Sequence, residues 1–165
     1  MKTLQTDDRW GQHMTSRDDF TEDEWALVLR LPGLVLGACA LADGRNVVAL
    51  MKEASAGGST LTEEVAKYPG NPIIASFTDG SMNAPDTKST EEAVTMMMAE
   101  VAEGFALVRT KATAQEASEV AAVLTAVATA VVGAAGQGMF GGGADKVDPR
   151  EQAVLDALAG ILAGG

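Results

Sequence analysis

The side chains that most often do chemistry are nearly missing from this chain of 165 residues, which holds one histidine, His13, and one cysteine, Cys39. Triads and dyads built on histidine are thereby all but excluded, and a single cysteine allows no intrachain disulfide and no cysteine-based zinc site. Cys39 sits in LVLGACALA, the setting of a buried, inert thiol rather than a nucleophile. His13 lies in a polar stretch with no helical neighbour to make it a ligand or base. Carboxylates remain. Glu100 and Glu103 share a helical face, as do Glu116 and Glu119; a desolvated pair would serve acid/base or metal chemistry, whereas solvation is the ordinary fate of this spacing. Gly136, Gly138 and Gly141 spell G-x-G-x-x-G, but a helical pattern precedes them where a dinucleotide site needs a strand. They read as a connector. No catalytic residue is assigned, and an enzyme is not expected.

The elements that would hold any site are helical. Hydrophobic residues make up 47% of the chain and aromatics only 4%, so the core must be aliphatic, and Ala-rich periodic segments dominate. The formal net charge of -11, with the 12 basic residues scattered, argues against nucleic acid, because counterion release needs clustered Lys and Arg. It also disfavours an anionic membrane surface. Residues 1–19 are polar, aperiodic and without an apolar core, which predicts a disordered arm and no signal peptide; a cytoplasmic location follows by default.

The longest apolar element is the stretch over residues 113–135. Thr113 and Glu116 have capping-box spacing, and no charged side chain occurs from Val120 until Asp145. Val120, Val123, Leu124, Val127 and Val131 form one stripe, and Ala122, Thr125, Ala126, Thr129 and Gly133 form a small-residue face opposite. This pattern predicts a central helix covered on both sides. Its uncharged part, from Val120 to Ala135, is shorter than the ~20 residues of a spanning helix, so stable membrane insertion is not expected.

Other helix starts are marked by Thr21 with Glu24 (Phe20 stapling on Trp25), Ser89 with Glu92, and Asp148-Pro149 with Glu151. Pro32 should kink or end the first helix, and Gly57-Gly58-Ser59 should interrupt the next. Asn71-Pro72 could begin a short helix through Ile73 and Ile74, and residues 77–88 read as a loop between two halves. Val94, Met97, Met98, Val101, Phe105 and Val108 form a core stripe. Met96 and Leu107 fall on the opposite side, among Glu92, Glu100 and Glu103; they are either incidental apolar residues on a wet face or a contact with another subunit.

Two turns resemble one another: Ala42-Asp43-Gly44-Arg45-Asn46-Val47, and the run from Ala144-Asp145 to Glu151 before the last helix. Both resemble the A-D-G-x-[VI]-x-x-x-E turn of the tellurite-resistance protein B (TerB-like) family of bacterial helical domains, as do the acidic composition, the capped helix opening each half and the ending VLDALAGIL. The resemblance implies an all-helical domain of two similar halves that binds a divalent cation and acts in stress-response assemblies. Its ligand set carries over to Asp43 and Asp145 alone, since Met51 stands where a glutamate belongs and the second turn lacks the glycine.

The expected architecture is all-α: one domain over residues 20–163, a bundle of about five to seven helices around one buried central helix. The expected role is a non-enzymatic intracellular binding or scaffold protein, with an unknown protein partner or self-association through Met96 and Leu107, and no cofactor. The alternatives are the divalent-cation domain with Asp43 and Asp145 as ligands, and a carrier of an apolar small ligand.

Overall fold

The computed structural model describes residues 14–42, 47–80, 86–136 and 147–164. Among them are six α-helices and no strand: α1 (Glu22–Ala42), α2 (Val47–Lys67), α3 (Pro72–Ala75), α4 (Thr90–Lys111), α5 (Ala114–Gly136) and α6 (Pro149–Ala163), with short 3-10 turns at Arg17–Asp19 and Phe77–Asp79. The all-α bundle is therefore as expected.

Local chemistry explains where the helices begin. At α1 the Thr21 N–H donates to Glu24 Oε2 (2.8 Å) and the Glu24 N–H to Thr21 Oγ1 (3.2 Å), while Phe20 packs on Trp25 with ring centroids 5.4 Å apart. Asn71 Oδ1 caps α3, accepting from the Ile73 and Ile74 N–H groups. Ser89 Oγ accepts from the Glu92 N–H at the head of α4, but the Glu92 carboxylate reaches the Lys88 N–H instead of closing the box. Asp148 and Glu151 close theirs at α6, which ends on Gly164 with φ 91°.

The enclosed helix is α1, not α5. Helix α1 packs against α2, α4, α5 and α6, and Leu31, Pro32, Leu34, Val35, Leu36, Ala38, Cys39, Ala40 and Ala42 are all buried. Each large side chain among them contributes roughly 1.5–3 kcal/mol by leaving water. In α5 the predicted stripe is buried together with Glu116, Ala117, Ala128 and Val132, whereas Ala122, Thr125, Thr129 and Gly133 are exposed. Both helices are apolar, and α1 lies in the middle because α4 and α2 approach it closely. A Cβ on Gly104 of α4 would stand 2.9 Å from Leu31 Cδ2, and one on Gly37 of α1 would stand 3.1 Å from the Met97 side chain.

Two expected breaks do not occur. Pro32 lies inside a continuous α1; it forfeits the N–H that would bond the Val28 carbonyl, and burial of apolar residues on both sides of it offsets that loss. Gly57 and Gly58 lie inside a continuous α2. Gly57 is buried where α2 meets α1 and α5, and a Cβ there would fall 2.7 Å from Leu36 Cδ1 and 2.9 Å from Val131 Cγ2. The glycine is a packing device, not a breaker.

The loop between the halves is partly structured as well: Phe77 is buried, and a Cβ on Gly80 would sit 2.2 Å from the Leu29 carbonyl oxygen of α1. Of the stretch expected to be a disordered arm, residues 14–19 are described, and Thr15 there is only 2% exposed.

Candidate functional site

Helix α5 brings together the features that could meet a partner or ligand, starting at its N-terminus. The Thr113 N–H donates to Glu116 Oε2 (2.9 Å) and the Glu116 N–H to Thr113 Oγ1 (3.2 Å), the capping box expected from the spacing. The same carboxylate takes two bonds from the N-terminal segment, from the Thr15 N–H to Oε1 (3.0 Å) and from Thr15 Oγ1 to Oε2 (2.6 Å). Burial pushes the Glu116 carboxyl upward, but the Thr15 hydroxyl and the Thr113 and Thr15 N–H groups outweigh it and hold the carboxyl below its ordinary value. Glu116 is thus buried rather than solvated, and it serves as an anchor.

Asn71 extends this anchor. Its Nδ2 donates to the Glu116 carbonyl (3.2 Å) and to Glu119 Oε2 (2.9 Å), while Gln115 Nε2 donates to Glu119 Oε1 (3.0 Å). Beside this network lies a cleft of about 540 Å³, lined in part by Met14, Lys67, Tyr68, Asn71, Gln115 and Glu119. A second groove of about 500 Å³ lies at another end of the bundle, between Leu41, Ser89, Val94, Arg150 and Val154. Both are surface clefts, unlike the enclosed apolar cavity that a lipid carrier would use.

Along the outward side of α5, Ser118, Ala122, Thr125, Thr129 and Gly133 are exposed at successive helical turns. The Thr125 hydroxyl donates to the Ala121 carbonyl and the Thr129 hydroxyl to the Thr125 carbonyl, both at 2.8 Å. With their hydroxyl protons spent on the helix itself, the threonines complete a flank of small side chains with no charge of its own. By length and composition alone, α1 and α5 are each apolar enough to cross a membrane; 61% of that stretch of α1 is buried inside the bundle, against 39% for α5.

The sequence-derived candidates fall differently. Asp43, Asp145 and His13 lie outside the described residues, as does most of the G-x-G-x-x-G run. Met96 is 43% exposed on α4, whereas Leu107 is half-buried and packs on the core, so the two do not share an exposed patch. Glu100 Oε2 forms an ion pair with Arg30 Nη1 at 2.9 Å, and Glu103 is exposed. Cys39 is buried, as expected. Among the described residues no group of three His, Cys, Asp or Glu side chains is placed to hold a metal ion.

The roles of Thr15 and Asn71 at α5 were not legible in the sequence. The only local signal was the Asn-Pro pair, which marks a helix start and says nothing of a bond made 48 positions away. Compared with protein-family models, with curated proteins and with solved structures, the chain matches none.

Proposed function

We propose that the protein is a non-enzymatic, intracellular binding or scaffold protein whose partner is a second copy of itself, docked along the outward flank of α5. The observation that carries this reading is the run of exposed, small, uncharged side chains from Ser118 to Gly133 on a chain of net charge -11. Two such chains repel wherever acidic surfaces meet, and repel least where neither contributes charge. Small residues also let helix backbones approach closely, as Gly57 and Gly104 do inside the bundle. A flank of about 16 residues is roughly 24 Å long. At a helix's width it buries roughly 250 Å² per partner, against about 800 Å² in a standard interface. The association is therefore weak and sensitive to concentration. The chain's single cysteine is a buried thiol, which suits a reducing compartment. The acidic surface disfavours nucleic acid, and burial of α1 favours the bundle over a bilayer.

Sedimentation at rising protein concentration tests the reading. The native chain should shift toward a dimer, and Thr125→Glu with Thr129→Glu, both at exposed positions, should abolish the shift without altering helix content. A chain that stays monomeric at its highest soluble concentration removes the self-association. Turnover in a broad hydrolase or transferase screen that Glu100→Gln or Glu103→Gln abolishes would overturn the non-enzymatic reading.

A further inference from the structure

Residues 14–20 lie outside the α-helices and, beside an exposed Arg17–Glu22 ion pair (3.9 Å), are anchored among the described residues at two points of different character. At one end Phe20 is buried against Trp25, with Lys111 Nζ 5.4 Å from the Phe20 ring centroid and 3.0 Å from the Asp19 carbonyl oxygen. At the other end Thr15 is buried, and its N–H and its hydroxyl both donate to the Glu116 carboxylate. Between these points the chain closes on itself: the Ser16 N–H and hydroxyl both donate to Asp19 Oδ2, at 2.7 and 3.2 Å, around the 3-10 turn Arg17–Asp19. The segment is thus a stiff unit with an apolar pivot and a polar catch. Met14, next to the catch, is 53% exposed and forms part of the wall of the cleft at the head of α5.

We infer that residues 14–20 form a strap that pivots at Phe20 and is latched by Thr15 on Glu116, so that its release opens the cleft. On release, water takes over the two bonds that Thr15 gives up, and the Thr113 N–H still holds the other side of the carboxylate. The packing of Val120, Val123 and Leu124 in the core involves none of these contacts, so the bundle persists while the strap is open. Opening withdraws Met14 from the cleft wall and exposes the Glu116 carboxylate to solvent. The strap is a sub-global opening unit of the kind that binding loops use.

Thr15→Val tests the latch, because it removes the catching hydroxyl and keeps the side chain's shape. Glu116 is left intact, since it also caps α5. The readouts are amide hydrogen exchange at residues 15–18 and the rate of tryptic cleavage after Arg17, each compared with exchange in α1. The expected result is a rise of tenfold or more in both strap signals, unchanged protection of α1, and near-native behaviour in Thr15→Ser. Unchanged strap exchange in Thr15→Val overturns the latch. A parallel rise across the strap and α1 overturns the independent opening, because the segment would then unfold only with the core.

Discussion

Neighbouring glycines in α2 should respond in opposite directions to the same methyl group. In a helix interior, alanine is favoured over glycine by about 1 kcal/mol through backbone entropy. At Gly58 nothing lies within 4 Å of an added Cβ, so Gly58→Ala should gain most of that amount. At Gly57 the Cβ would fall 2.7 Å from Leu36 Cδ1, 3.0 Å from Leu36 Cγ and 2.9 Å from Val131 Cγ2. Leu36 and Val131 are 4% and 1% exposed, and Val131 is β-branched, so neither can swing aside freely. Overpacking of this kind costs about 1–3 kcal/mol. The cost exceeds the propensity gain, and Gly57→Ala should be destabilising by roughly 1 kcal/mol. The gap between the variants is then about 2 kcal/mol, or roughly 4–8 °C in melting temperature for a chain of this size. Thermal and urea unfolding followed by circular dichroism at the helix band would measure it. Equal stabilisation of both variants would refute the close approach of α2 to α1 and α5, and with it the reason that Gly57 does not end the helix.

Three further outcomes follow from the same geometry. Gly80→Ala should lower stability by about 3 kcal/mol, because the added Cβ meets the Leu29 carbonyl oxygen at 2.2 Å and a backbone atom cannot rotate away; a urea midpoint matching the native chain's would sink this. The Glu116 carboxyl is held below the ~4.3 of an unfolded glutamate, so its contribution is fully present above that pH and is lost as pH falls through the lower folded value. The native chain should therefore exceed Glu116→Gln by about 2 kcal/mol at neutral pH, and the difference in urea midpoints should shrink below about pH 4; a gap that persists unchanged in acid would contradict it. Calorimetric titration with Ca²⁺, Mg²⁺ and Zn²⁺ should give no specific heat; binding that Asp43→Asn or Asp145→Asn abolishes would favour the cation-binding domain suggested by the TerB-like turns.

Helix starts were legible in the sequence because their chemistry is local. Thr21 with Glu24, Thr113 with Glu116, and Asp148 with Glu151 satisfy one another's backbone N–H groups within a single turn, so three-residue spacing is enough to find them. The buried stripes of α4 and α5 were legible for a similar reason, since helical period alone places Met97, Val101, Phe105 and Val108 on one side. The choice of central helix was not. The chain carries two long apolar segments, and intrinsic propensity cannot say which one the others surround. That was decided by where Gly37, Gly57 and Gly104 allow helices to touch, and a contact seen from one partner's sequence looks only like a broken pattern. Pro32 misled in the same way, because its local cost is certain while the burial that outweighs it comes from other helices.

At the head of α5 the division is sharpest. The capping role of Glu116 could be read from Thr113, three residues before it, whereas its hold on Thr15 joins positions 101 residues apart. Spacing reveals the bonds a residue makes within its own turn of helix. Only the packed chain brings a distant hydroxyl to a buried carboxylate, because the free energy that orders the pair comes from burial of the surfaces around it.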